Sequence, residues 1–147
     1  MAHVEEQVRA AFVALVTGLA TTGSNVFESE VHPLTPDTMP GLCIYVAQDR
    51  NIGGTFDATS REVVIAVDAY VEGTEYDSVH AEIMKEIEVA LYGSEQNGRF
   101  FNGMVMNLVY DGHSSSFVES AAVRHGVRKM RWKCEYQTED GNAEVAT

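Results

Sequence analysis

Five histidines, two cysteines and a scatter of acids are the side chains that could build a catalytic or metal centre. The histidines are His3, His32, His80, His113 and His125. None stands in the H-E-x-x-H spacing that puts two imidazoles on one helix face around zinc. His80-Ala81-Glu82 matches half of a zinc deaminase signature, but no Pro-Cys-x-x-Cys follows it. Cys43 and Cys134 alone cannot supply the four ligands of a structural zinc site. Gly93 to Gly98 has the glycine spacing of a phosphate-cradling loop. Arg99 and Phe100 stand where that loop needs Lys and then Ser or Thr, and a helical pattern precedes it instead of a strand. Gly112-His113-Ser114 opens like a nucleophile elbow, yet Ser116 occupies the place of the second glycine. Asp49, Asp57 and Asp68 read as solvated acids of an acidic chain rather than as a carboxylate pair. Trp132 and Tyr136, at alternate strand positions, read as core rather than as a stacking platform. No catalytic residue, metal or cofactor is expected.

The elements that would position these groups follow from hydrophobic period. Val4, Val8, Phe12, Leu15, Val16 and Leu19 recur at helical spacing, which predicts an amphipathic helix over 4–19 that Gly23 stops. A short strand is expected over 25–32. Pro33, Pro36 and Pro40 then make a stiff extended loop. The apolar run Leu42 to Gln48 predicts a buried strand, and Asp49 to Thr59, with Gly53-Gly54, a flexible loop. Over 60–72, Val63, Ile65, Val67, Ala69 and Val71 alternate with a mixed row, the pattern of a sheet packed on one face. A second helix is expected over 75–92 on a stripe of Val79, Ile83, Ile87, Ala90 and Leu91, ended by Gly93. Two more strands, 104–110 and 125–138, are expected with a Ser-rich loop between them. In the last, Met130, Trp132, Cys134 and Tyr136 face one way and Lys129, Arg131, Lys133 and Glu135 the other. Residues 1–3 and 139–147 read as frayed ends. The order α-β-β-β-α-β-β predicts one α+β domain over 1–147: a mainly antiparallel sheet of about five strands, with two helices on one face.

With 147 residues, 45% hydrophobic and 22% charged, the chain has the composition of a globular domain, not of a disordered one. No apolar run approaches the ~20 residues of a membrane helix, so no membrane partner is expected. The acidic, polar start does not read as a secretory signal, and two cysteines make no disulfide framework, so reduced thiols are expected. The net charge of −12 argues against general nucleic-acid binding. The charges are unevenly placed. Five of the ten basic residues are Arg124, Arg128, Lys129, Arg131 and Lys133, whereas Glu72, Glu75, Asp77, Glu82, Glu86 and Glu88 cluster elsewhere. A basic strand meeting an acidic helix of another copy would be a head-to-tail contact, which closes into rings or runs on into filaments. The candidate contact residues are Arg124, Arg128, Lys129, Arg131, Lys133, Glu82 and Glu86.

The order of these parts resembles the tail terminator (tail completion) proteins of long-tailed bacteriophages. The resemblance spans Val4 to Thr138. It lies in the N-terminal helix VEEQVRAAFVALVTGL, the strand after the Pro-rich segment in DTMPGLCIYV, and the long strand SREVVIAVDAYVEG that ends in an acid-Gly turn. It continues in the helix YDSVHAEIMKEIEVAL and the closing strand VRKMRWKCEYQT. It implies a structural protein of the virion tail, made in the host cytoplasm, that forms a ring, in this family a hexamer, on the head-proximal end of the tail tube. Such a ring stops tube polymerisation and joins the head. The implied partners are further copies of the chain, the major tail tube protein and a head–tail connector protein. Genomic DNA would pass through the channel without specific binding, and an acidic channel wall would keep it from sticking. The loops over 49–59 and 94–103 are expected to touch tube or connector, with Arg50, Asn51, Ile52, Gly53, Gly54, Thr55 and Phe56 as the candidate contact residues. The alternatives are a head-completion or neck adaptor protein, a generic interaction domain, or a small enzyme or ligand-binding domain using Asp111 and His113.

Overall fold

The structure is a computed structural model, and it describes residues 3–29, 31–33, 35–54, 57–119 and 123–147. In chain order the elements are α1 (Val4–Val16), β1 (Val26–Phe27), a 3-10 turn (Pro36–Thr38), β2 (Gly41–Gly54), β3 (Ala58–Glu72), α2 (Tyr76–Tyr92), β4 (Asn107–Val118), β5 (His125–Glu139) and β6 (Asn142–Ala146). The expected order α-β-β-β-α-β-β is present, extended by one strand.

The strands form one sheet in the order β1-β2-β3-β5-β4, with β6 beside the end of β5. Every long pairing is antiparallel, and only the two-residue β1 runs parallel to its neighbour β2. Val63, Ile65, Val67 and Ala69 of β3 share a face with Met130, Trp132, Cys134 and Tyr136 of β5. Both helices lie on that face. Val4, Val8, Phe12 and Val16 of α1 and Ile83, Ile87 and Leu91 of α2 complete one buried cluster with it. Each large apolar side chain withdrawn from water there contributes roughly 1.5–3 kcal/mol. The α+β architecture and the alternation of β3 and β5 are as the sequence implied.

Several boundaries differ from the sequence-based expectation, each for a local reason. Helix α1 stops at Val16, because Thr17 turns extended and Gly18 takes φ +85. The Thr17 hydroxyl donates to the Val13 carbonyl at 2.6 Å and closes the last turn. Most of the expected loop over 49–59 is a regular hairpin: β2 and β3 stay paired out to Gly54↔Thr59, with bulges at Val46/Gln48 and Asn51/Gly53. Ser114, Ser115 and Ser116, expected in a loop, are strand residues of β4 paired with β5. The tail expected to fray turns at Gly141 and returns as β6. Cys43 and Cys134 are free and buried; Cys43 pairs with Asp68 and Cys134 with Val63, so the pleat sends them to opposite faces. Burial pushes both thiols up to about 12.

Helix α2 is seated on β5 by a glycine. The Tyr76 ring lies over Gly126, where an added Cβ would come within 2.3 Å of the ring. It also stacks on Phe117 of β4, with centroids 5.2 Å apart and planes 9° from parallel. One turn on, His80 is fully buried with Nε2 3.1 Å from the Ala69 carbonyl. This histidine needs no catalytic role: it is a core residue that donates to a strand carbonyl. Burial and the nearby Arg128 lower its pKa to about 4. Replacing Gly126 with Ala should lift Tyr76 and cost about 1–3 kcal/mol, the range for overpacking; an unchanged denaturant midpoint would show that the ring is not seated there. The depressed His80 pKa has a fixed sign. Between the ordinary 6.5 and about 4 the unfolded chain binds the proton that the folded chain refuses, so stability is lost as pH falls through that window and regained as it rises. His80→Gln should flatten that part of a stability-versus-pH curve; a curve of unchanged slope there would contradict it.

Candidate interaction surfaces

The sheet face turned away from the helices is polar and carries its own charge balance. On β5 it presents Lys129, Arg131 and Lys133, as the alternation implied. These bases do not stand as a free positive stripe. Arg131 Nη1 lies 3.5 Å from Asp68 Oδ1, and its guanidinium sits 6.0 Å from the centre of the Tyr45 ring. Tyr45 in turn donates to Asp68 Oδ2 at 2.9 Å. Asp68 is therefore 3% exposed on an open sheet face, roofed by a tyrosine and an arginine rather than by a helix. Lys133 pairs with Asp111 at 3.4 Å, and Arg50 with Glu62 at 3.0 Å. Lys129 and Arg124 are exposed.

The other expected contact residues divide between surface and scaffold. Arg128 lies on the helix side, one position out of step with Lys129, and its side chain is mostly covered. It donates to the Ser115 hydroxyl at 3.0 Å, reaches Met84 Sδ at 3.1 Å, and lies 3.7 Å from Asp77 on α2. The basic strand and the acidic helix thus already meet once within the chain. Glu86 is tied down as well: it accepts the Thr21 N–H at 2.9 Å and also the Thr21 hydroxyl, which holds the turn after α1 against α2. Glu82 is exposed beside Lys85, 3.6 Å away. Of the seven candidates, Arg124, Lys129 and Glu82 are exposed, whereas Arg128, Arg131, Lys133 and Glu86 are partly covered and engaged within the chain.

The candidate contact loop is the outer part of the β2–β3 hairpin. Arg50 and Asn51 are opposite Glu62 and Arg61, Gly53 and Gly54 opposite Ser60 and Thr59, and Ile52 sits in the bulge between them. Asn51 Oδ1 accepts the Gly53 N–H at 2.8 Å. Gly54, at φ +159, approaches the opposite strand so closely that a Cβ would lie 2.3 Å from the Ala58 carbonyl. Thr55 and Phe56 lie outside the described residues. The result is a backbone-paired arm along the rim of the sheet, exposed on β2 and still paired with β5 on its β3 side out to Ala58↔Glu139, not a slack loop.

At the base of the arm lies a polar cleft of about 420 Å³ lined by Glu5, Asp49, Arg50, Asn51, Thr59 and Arg61. Sequence reasoning missed it. Its one signal was Arg61, a charge in step with the apolar row of β3 two residues before Val63. Tyr136 donates to Asp49 Oδ2 at 2.7 Å, and that carboxylate together with burial holds the phenol well above its ordinary range. Glu5 is raised too, first by burial and then by its hydrogen bond to Asp49 and the charge there. Asp111 and His113, the pair an enzyme reading would use, serve as partners to Lys133 and to the Tyr110 hydroxyl.

The raised Glu5 carboxyl has the opposite sign from His80. Ionising it costs more in the folded chain, so its contribution to stability is lost as pH rises through the carboxylate range. Glu5→Gln should therefore raise the thermal midpoint at pH 7 relative to the parent and leave it nearly unchanged at low pH. An equal shift at both would disprove the charge explanation.

No protein-family model matches the chain, and no curated protein matches it. Among solved structures the chain is similar to a chain of one described as the virion of a native gene transfer agent particle. The two are 18% identical, the overlap covers 90% of this chain and 92% of the other, and the TM-score is 0.48.

Proposed function

We propose that the chain is a structural protein of a phage-type virion that caps the head-proximal end of the tail tube as a ring, stops tube growth and offers the surface that joins the head. The observation that carries this reading is the arm. The stretch expected to touch tube or connector is paired backbone through Gly54↔Thr59 at the rim of the sheet, with Arg50, Asn51 and Ile52 exposed on it. A paired arm presents Arg50, Asn51 and Ile52 in one fixed geometry, which limits the entropy lost when a partner is bound. The exposed Arg124 and Lys129 on one part of the surface and Glu82 on another are unlike patches, suited to head-to-tail contact between copies. Asp68, held by Tyr45 and Arg131, and the fully buried His80 are read as scaffold rather than as catalytic groups.

Deleting Gly53 to Phe56 removes the tip while leaving the core rows of β2 and β3 intact. The shortened protein should keep its circular dichroism and its thermal midpoint within a few degrees, since exposed tips tolerate shortening. In negative-stain images it should no longer be found on the ends of its own phage's tail tubes. Capping by the shortened protein would remove the arm from the proposal. Parent protein that ignores tubes and binds the portal complex would replace the terminator reading with the neck adaptor one.

A further inference from the structure

We infer that copies of this chain join edge to edge, with β4 of one copy adding as a strand to the free edge of β2 in the next. The contact rests on the ring reading above and gives it a surface.

Both edges are open. On its outer side β2 is paired only at Leu42 and Cys43, by the two-residue β1, so Ile44 to Gly54 has no strand beside it among the described residues. At the other end of the sheet the 12-residue β4 is, among the described residues, paired to β5 alone. Edge strands are ordinarily blunted by Lys, by Pro or by being very short. β4, NLVYDGHSSSFV, is long and has no Lys, Arg or Pro. Its one irregularity is the bulge at Tyr110/Gly112.

The edges also match in direction. Successive neighbours β2, β3, β5 and β4 are antiparallel, so β2 and β5 run one way and β3 and β4 the other. Two copies set side by side in the same orientation therefore bring β4 of one antiparallel to β2 of the next. The sheet's alternation continues across the joint, and each copy uses both of its open edges. A two-fold pairing of β4 with β4 would leave β2 open in both copies.

Charge favours the same contact. Copies of net charge −12 repel each other except where their surfaces are close to neutral. The single formal charge of β4 is Asp111, which Lys133 faces at 3.4 Å. On the β2 edge Asp49 accepts from Tyr136, and Arg50 is paired with Glu62. The serines of β4 are small enough to let a second backbone approach.

Hydrogen exchange of the parent protein, alone at low concentration and then assembled at high concentration or on tube ends, tests this directly. In the single copy, the β4 and β2 amides that point outward should exchange fast. On assembly, protection should rise together in 107–118 and 44–54. The exposed Ser116→Lys should keep the parent's circular dichroism and raise the concentration needed for assembly at least about tenfold. Protection gained in β4 alone, with a dimer as product, would overturn the proposal in favour of the two-fold pair. Assembly with neither segment protected would overturn the edge contact and leave the ring reading standing. Absence of any assembly, alone or on tubes, would sink both.

Discussion

The pairing of β3 with β5 is the constraint on which the rest depends. It runs unbroken from Ala58↔Glu139 to Glu72↔His125, and its alternate residues meet two different surroundings. One row, Val63 to Ala69 with Met130 to Tyr136, has two helices over it; the other, with Asp68, Arg131 and Lys133, has none. A slip of one residue would exchange the rows, putting Lys133 under the helices and Trp132 in water. The register fixes where α1 and α2 must sit, which edges stay open, and how far β2 can follow β3 outward.

The open face solves a problem that helices solve on the other side. Val64, Ala66 and Asp68 are buried there without an element above them. Long side chains do the covering: the Tyr45 ring and the Arg131 stem lie across the pleat, and their polar ends meet on the Asp68 carboxylate. The Tyr45 hydroxyl supplies that buried carboxylate with a donor and the Arg131 guanidinium with a nearby opposite charge. The face is thus covered by side chains whose ends are polar, and so it stays wettable.

Those parts that bury apolar side chains in a simple period were legible in the sequence. The stripe Val4, Val8, Phe12 and Val16 and the alternation of β5 from Met130 to Tyr136 declare both the element and its inner face. The parts held by backbone pairing alone were not. Asn51 to Gly54 and Ser114 to Ser116 carry few apolar residues, and their strand geometry comes from the neighbour they lie against. The charge map misled in one respect. Arg128 and Lys129 are adjacent in sequence, but the pleat sends them to opposite faces, and the helix-side one is taken up by Ser115, Met84 and Asp77. The cleft at the start of α1 gathers Glu5, Asp49, Arg61 and Tyr136 from four separate elements, and no single stretch of chain could announce it.

The arm is, mechanically, a braced rim rather than a free lever. β3 stays between β2 and β5 as far as Ala58, and just beyond it the Asp140 N–H donates to the Asp57 carbonyl while the Thr59 hydroxyl donates to the Asp140 carboxylate. A load applied at the tip is therefore shared across three strands. One branch of it reaches Asp49, which the Tyr136 hydroxyl grips and Glu5 of α1 shares, so whatever touches the tip also pulls on the first turn of the N-terminal helix.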